Sequence, residues 1–509
     1  MKAISIMQVA LRTSLGFALL VMVAGCGDSD TTPAASDAGV PTESSTEDAS
    51  PIDSSVKVTG NGAVDRGETF FGFPERFNRY YTDPSWEPSK ILWVGPQGSG
   101  DGSSEDSPAS VATGLAAVQP GSMVMFAAGQ YEGCFEVPRS GTYDEPIVLR
   151  AQRNPDGTRG VTMDCCSSGR RTCFNLEAVD YVAIEGFSLR GGAYGIRAVG
   201  RDYAASDHQA GVAMLDNEGG HQDRDPFFTG QSDWVVVEGN HAHHAGSGDG
   251  HGIYLSNGSD WGIVRFNDLH DNASSDLQIN ADPLSTCSSF DSSECAGAAE
   301  DGLGRGASDY FLIEGNYLHS NQIGPNFTSL RRSVIRNNVS GFHARHNMSF
   351  WQETDNPALG SSDNVICHNL FIGVNSRHAL QFINNSTRNL VRNNLFFGLE
   401  LTGSSATVSD SPELMQVDGT TAQNSYGGNY FVGGHLTGRV PNAQEFTDSV
   451  FDPAYFENFP LDGMGSVLGF VPRSGAPFLD KGEMVPQCAK DFRGTPRAGA
   501  VDIGPFEVP

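Results

Sequence analysis

Val237-Glu238-Gly239-Asn240 is a short apolar strand closed by an asparagine, and the same phrase returns down the chain. It reads Val264-Arg265-Phe266-Asn267, Ile313-Glu314-Gly315-Asn316, Ile335-Arg336-Asn337-Asn338, Ile366-Cys367-His368-Asn369 and Val391-Arg392-Asn393-Asn394. Ile184-Glu185-Gly186-Phe187 is a further copy with phenylalanine in the asparagine's place. Successive asparagines stand 27, 49, 22, 31 and 25 residues apart, so an insertion doubles one interval. A strand-based period of about 20–50 residues marks a solenoid, in which each unit buries its apolar face only against its neighbours.

The asparagines have a physical reason. A coil that bends sharply once per turn leaves inward backbone groups without strand partners, and each buried unpaired group costs about 1–3 kcal/mol. An asparagine amide both donates and accepts, and it tolerates the left-handed backbone of a tight turn. Asn240, Asn267, Asn316, Asn338, Asn369 and Asn394 are therefore expected to stack turn upon turn.

With that ladder, the chain resembles the right-handed parallel β-helix proteins of the pectate-lyase-like superfamily over about residues 90–400. The resemblance extends to Lys90-Ile-Leu-Trp-Val-Gly95, a segment with apolar residues at helical spacing from Ser107, Pro120-Gly121, and Asp144-Glu-Pro-Ile-Val-Leu-Arg150. This order is similar to the start of many bacterial β-helix proteins. The expected fold is all-β, a right-handed parallel β-helix over residues 90–450, with an N-terminal capping helix over the exposed sheet edge. Residues 59–89 are rich in aromatic side chains and are expected to wrap the body. Residues 451–509, with Asp491-Phe-Arg-Gly-Thr-Pro-Arg497, resemble a closing motif and are expected to form a C-terminal cap.

The first 58 residues read as an address. Lys2 and Arg12 precede an apolar run ending in Val23-Ala24-Gly25-Cys26, the pattern of a secretory signal over residues 1–25. Val-Ala-Gly-Cys resembles the lipobox of bacterial lipoproteins, which implies lipidation at Cys26 and attachment to the membrane by a lipid anchor. Gly27 implies no inner-membrane retention, so the outer membrane is the expected location. Residues 26–58 hold almost nothing apolar and predict a disordered acidic tether. A net charge of -29 argues against nucleic acid as a partner. No apolar run beyond Cys26 is long enough to span a membrane.

An even set of cysteines in an exported protein permits disulfides. Spacing predicts Cys287 with Cys295, and Cys165 or Cys166 with Cys173. Cys367, on an apolar strand, reads as a packed thiol. Two segments interrupt the repeat, residues 201–231 and 283–308. Both follow the same strand of the repeat, so both are expected to wall one side.

Side chains alternate along a strand, so one register sorts core from surface. Aligning the segments that begin at Gly195, Gly252, Asp276 and Ala379 buries Ile196, Ile253, Leu277 and Leu380. Arg197, Tyr254, Gln278 and Gln381 then form an outward column at a pitch of about 4.7–4.9 Å, close to the hydrogen-bonding repeat of a sugar chain. An ordinary solvated polar face has the same pattern. His243, His270 and His319 form a second column, which could bind a metal, shuttle protons or simply stack. Asp249-Gly250-His251-Gly252 lies just before Tyr254, where a carboxylate and an imidazole could act as base and acid, or cap a turn. Gly-His-Gly resembles a fragment of the polygalacturonase signature, but its paired-aspartate partner is absent, which disfavours hydrolysis by two carboxylates.

No lysine lies between Lys90 and Lys481. The lysine base of several β-helix lyases therefore has no counterpart in the coil, and the resemblance leaves arginine, with Arg197 as the candidate. An acidic protein holding an acidic polymer also needs bridging cations. Ca²⁺ suits this, with Asp268, Asp271, Asp276 and Asp282 as candidate ligands and Asn280 beside them. The sequence thus points to a lipoprotein that binds a polysaccharide, a uronic-acid polymer. As a lyase it would abstract the C5 proton, with Tyr254 or His251 aiding the leaving group and Gln278, Gln381 and Asn280 holding substrate. A non-catalytic glycan-binding rod and a uronate epimerase are the competing readings.

Overall fold

A computed structural model describes residues 76–508, apart from 166–170, 247, 290–291, 293–294, 296–303, 375–376, 403–404, 422, 462 and 464. The signal, the tether and Cys26 lie outside the described residues, as do Phe70, Phe71 and Phe73 of the aromatic segment.

The fold is a right-handed parallel β-helix. Each turn contributes one strand to each of three long parallel sheets of 12, 13 and 11 strands. One turn runs Val235–Glu238, His241–His243, Ile253–Ser256, and the next runs Gly262–Arg265, Asp268–His270, Leu277–Asn280 in register beneath it. The sheet holding Ile253–Ser256 is called the groove sheet below.

The ladder holds the corner between the first two sheets. The Asn240 N–H and its amide both donate to Asn267 Oδ1, at 2.9 and 3.1 Å, and the amide also donates to the Met214 carbonyl at 2.9 Å. The pattern passes through Asn267, Asn316, Asn338, Asn369 and Asn394. It continues at both ends, with Asn217 before it and Asn429 after it. Asn240, Asn267, Asn316, Asn338, Asn369 and Asn394 themselves are not left-handed. The residue before each one is, including Gly239 (φ 69°), Phe266 (55°) and His368 (53°). The corner's strain thus falls one position earlier than the sequence suggested, and the asparagine is free to point inward.

Asn217 corrects the reading of residues 201–231. Much of this stretch is a full turn, with strands Ala213–Leu215, Glu218–Gly220 and Asp225–Gly230 in the three sheets. Of residues 283–308, the described ones include the short helix Pro283–Thr286 and the disulfide Cys287–Cys295, outside the three long sheets.

The bore is a continuous apolar column in which Ile196, Ile253, Leu277, Leu380 and Phe382 are fully buried. The helix Val111–Ala116, N-capped by Ser110, packs Val111 and Leu115 against Val94 and Val124 of the first coils. Two segments cover apolar outer faces. Phe77, Tyr80, Tyr81 and Trp86 pack on Val148, Ala183, Ala213, Val236 and Ile263 of the 12-stranded sheet. The Tyr81 hydroxyl donates to Glu238 and accepts from Arg265, closing a buried ion pair. Phe456, Phe470, Phe478, Phe492 and Phe506 of the tail pack on Tyr317, Val339, Ile372, Leu395 and Phe397, along the 13-stranded sheet's flank.

Two cysteine expectations are corrected. Cys165 pairs with Cys134, 31 residues away in sequence and one coil away in space, while Cys173 is a buried free thiol. Cys367 is not a packed thiol but is bonded to Cys488, tying the tail to the coil. In a solenoid the spatial neighbour is one turn distant, so short sequence spacing misleads. No helix among the described residues is long and apolar enough to cross a membrane.

Candidate functional site

The outward column on the groove sheet is real and longer than four residues. Strand register aligns Glu136, Asn175, Arg197, Phe228, Tyr254, Gln278, Asn326, Ser349, Gln381 and Gln416. The column changes character along its length.

From Gln278 onward it is a polar ladder that satisfies itself. Asn326 donates to Gln278 Oε1 at 2.8 Å, Ser349 donates to Gln381 Oε1 at 2.8 Å, and Gln381 donates to Gln416. Gln278 and Gln381 are both buried, and their carbonyl oxygens are already engaged. Asn280, assigned to substrate, donates to Glu353 and accepts from the Asp282 N–H at 2.7 Å.

The earlier half is open. A cleft of about 570 Å³ is lined by Glu136, Arg171, Asn175, Tyr194, Arg197 and Phe228. Tyr194 and Phe228 lie 5.0 Å apart between centroids, Phe228 and Tyr254 5.4 Å, and Arg224 stands over the Tyr194 ring. Arg197 donates to Asn175 Oδ1 at 2.9 Å and is ion-paired with Glu177. A guanidinium held this way is a fixed donor, suited to a carboxylate. Phe228 was missed because the turn around Asn217 read as an insertion, and Tyr194 and Arg171 because they lie at or just before strand starts, outside the aligned outward column.

At the start of the next strand stands His251. Its N–H donates to Asp225 Oδ1 at 2.8 Å, and its Nδ1 accepts from the Ser275 N–H at 3.2 Å. The ring lies 4.8 Å from that of Tyr254. Accepting at Nδ1 fixes the neutral tautomer, leaving Nε2–H as a donor. Burial holds His251 down at about 4, against the opposing charge of Asp249. Burial pushes Asp225 up to about 7, against the His251 N–H. It also raises Tyr254 above the usual phenol range. Between those limits Asp225 and His251 are both neutral. Asp249 is exposed on the turn.

The four candidate metal aspartates are not brought together. Asp268 sits on the 13-stranded sheet against His319 Nε2, at 3.1 Å, and Asp271 pairs with His270 at 2.7 Å. Asp276 is fully buried between turns and accepts from Asn321. Asp282 precedes the short helix Pro283–Thr286. A corner of the coil divides residues 268–271 from the groove strand that begins at Leu277, so nearness in sequence puts them on different faces. One acidic pair does face the groove's far rim. Glu353 is raised by burial and by the charge of Asp282, and its Oε2 is buried without a hydrogen-bond partner.

His243, His270 and His319 do align in neighbouring turns, His243 to His270 at 5.6 Å and His270 to His319 at 4.9 Å between centroids.

No family model matches the chain, and no curated protein matches it. Among solved structures it is similar to the pectate lyase Pel9A, at 14% identity and a TM-score of 0.51, over 83% of this chain and 97% of that one. It is also similar to XylC in complex with xylose, at 10% identity and a TM-score of 0.48, over 82% and 98%. A rhamnogalacturonan lyase follows at 14% identity and a TM-score of 0.43, over 73% and 91%. At these identities the likeness to Pel9A is one of fold, and function rests on the site.

Proposed function

We propose that this chain binds an acidic polysaccharide of the uronate class along the groove sheet, seating it at the cleft around Arg197. One observation carries the reading: two guanidiniums, Arg171 and Arg197, flank two adjacent aromatic rings, Tyr194 and Phe228, at the open end of the column. Guanidinium groups recognise carboxylates, and ring faces cover the apolar face of a sugar. Strand spacing of about 4.7–4.9 Å then repeats the contact sideways.

β-Elimination extends this reading, favoured by the neutral His251 beside Tyr254. In that reaction a base takes the C5 proton, its electron pair forms the C4–C5 double bond, and the C4–O bond breaks with a proton delivered to the leaving oxygen. The Tyr254 hydroxyl delivers that proton, and the neutral His251, which has no acidic proton to give, holds the leaving oxygen through its Nε2–H. Arg197 is the base only if substrate displaces its partner Glu177 and the guanidinium first releases a proton to solvent; otherwise it anchors the carboxylate as a cation, and the protein is a binding rod. Ca²⁺, where it takes part, would be held by Asp282 and Glu353 with Asn280. It would supply charge neutralisation for the substrate carboxylate.

The export reading stands beside this. The Cys26 motif supports a lipid anchor, and the disulfides support an oxidising compartment.

The test is a panel of uronate and neutral polymers, scored for binding by affinity electrophoresis and for ultraviolet-absorbing unsaturated product, with and without Ca²⁺. Arg197→Ala is expected to weaken binding of the acidic polymers about 10–100-fold, the loss of one charge-assisted contact. Equal binding of neutral and acidic polymers, or wild-type binding by Arg197→Ala, removes the proposal. Binding without unsaturated product leaves the rod.

A further inference from the structure

The 13-stranded sheet carries a histidine cluster that the groove does not use. His221 and His244 occupy equivalent left-handed corners of adjacent turns, with φ of 61° and 52°. Their rings stack at 4.9 Å, and both side chains are exposed. His243, buried beside them, turns its Nδ1 toward His244 Nδ1 at 2.8 Å. Ligand atoms of His221, His243 and His244 all lie within 4.8 Å of one another.

Two further features make this more than a surface cluster. The opposite nitrogen of His243, Nε2, faces Glu218 Oε1 at 3.5 Å, and Glu218 in turn accepts from Ser188 at 2.7 Å. A carboxylate behind a histidine fixes its tautomer and frees the other nitrogen to bind a metal. Gly220 lies in register with His243, and a Cβ there would stand 2.4 Å from His243 Cε1. The missing side chain is what lets the imidazole fold into the corner.

We propose that His221, His243 and His244 form a site for one borderline divalent cation of the Zn²⁺ class, with Glu218 as the carboxylate that orients His243. Imidazole nitrogens select such ions over Ca²⁺ or Mg²⁺. A tetrahedral zinc at about 2.0–2.1 Å from each nitrogen needs only a small closing of the two exposed rings. Glu218, His241 and His243 form an alternative triad sharing His243. The Nδ1 contact with His244 favours the outer set, because it leaves Nε2–H for Glu218.

The test uses the full chain, purified without a histidine tag and dialysed against ZnCl₂, with zinc counted by mass spectrometry and thermal unfolding followed in zinc and in EDTA. The expected result is about one zinc per chain, unchanged by excess Ca²⁺, and a higher Tm in zinc. His221→Ala/His244→Ala is expected to lose both zinc and the zinc-dependent rise, while matching the wild type in EDTA. The single exposed variant His221→Gln, with the backbone corner intact, is expected to lower zinc affinity in the same direction. Glu218→Gln is expected to weaken zinc about 10–100-fold. A wild-type chain without bound zinc overturns the proposal. So does a double variant that keeps it, and so does zinc lost on His241→Gln but retained in the double variant.

Discussion

Truncating a middle rung of the ladder, Asn316→Ala, should destabilise the coil far more than a surface change of equal size. Asn316 is fully buried. Its Oδ1 accepts from the Asn267 N–H at 3.1 Å and from the Asn267 amide at 2.9 Å, and its own amide donates to the Val264 carbonyl at 3.0 Å and to Asn338 Oδ1 at 2.8 Å. Alanine leaves one group without a partner, the Asn267 N–H, while the Val264 carbonyl keeps the ladder bond that the Arg265–Glu314 register gives it. The other two keep one bond each: the Asn267 amide still reaches Val237 O, and Asn338 Oδ1 still accepts from the residue 316 N–H. One orphaned buried donor costs about 1–3 kcal/mol. Asn424 provides the internal comparison, making the same kind of contacts to Asn389 and Ser386 from a half-buried position. Water can replace what Asn424→Ala removes, so that variant should lose less than about 1 kcal/mol. Urea unfolding followed by circular dichroism reads the difference. Hydrogen exchange of the 262–268 segment shows whether a loss is local, since solenoids can open piecewise. If Asn316→Ala shifts the midpoint no further than Asn424→Ala, the ladder is decoration rather than the fold's organising element.

Three other outcomes follow from particular contacts. Cys488→Ser, which opens a 121-residue closure, should lower stability by up to about 5 kcal/mol on loop-entropy grounds; an unchanged Tm under non-reducing conditions would contradict the tie between tail and coil. Asp225 is raised to about 7 by burial, so its folded state keeps a proton that the unfolded chain releases near pH 4. The stability this proton provides is present below pH 4 and is lost as pH rises to about 7. The Tm difference between Asp225→Asn and wild type should therefore move in the variant's favour across that window and flatten above it; a flat difference throughout contradicts the assignment. Gln381→Ala should leave polysaccharide affinity unchanged while lowering Tm, because Gln381 is committed to Ser349 and Gln416; an affinity loss like that of Arg197→Ala would extend the binding surface to the far end.

The sequence made the fold legible because the ladder asparagine is a periodic signal that needs no knowledge of distant contacts. It failed where the signal was broken. Asn217 follows an apolar strand, but with Leu215-Asp216 in place of the Glu-Gly or Arg-Asn of other rungs, and Asn429 follows Gly427-Gly428, so a whole turn was read as an insertion. A second clue lay in Asn364, Asn389 and Asn424, each five residues before a rung. They form their own ladder at the preceding corner, with Asn364 and Asn389 bonded at 3.1 Å and Asn389 and Asn424 at 2.9 Å. Recognising the pair of asparagines five apart would have located Asn429. Pairing of Cys134 with Cys165 joins neighbouring coils, and Cys367 with Cys488 joins the coil to the tail, so neither shows as a short spacing in the sequence.

The same logic explains which parts of the site survive the change from line to coil. Residues a full turn apart, such as Arg197, Phe228 and Tyr254, become neighbours because parallel register is preserved from strand to strand. Residues a few positions apart, such as Asp271 and Asp276, are separated by a corner and share no strand, though the charge of Asp271 still adds to the burial that raises Asp276. A column in a solenoid is therefore a reliable prediction, and a local cluster is not. A column is also not uniform, because each member can bond to the one above or below it. Where adjacent members are amides and hydroxyls, as from Gln278 to Gln416, they satisfy one another and leave little for a ligand. Aromatic members cannot do this. On the proposed function, recognition is concentrated where the ladder is interrupted, at Phe228 and Tyr254 beside Arg197, and that interruption is where a sugar would have most to gain.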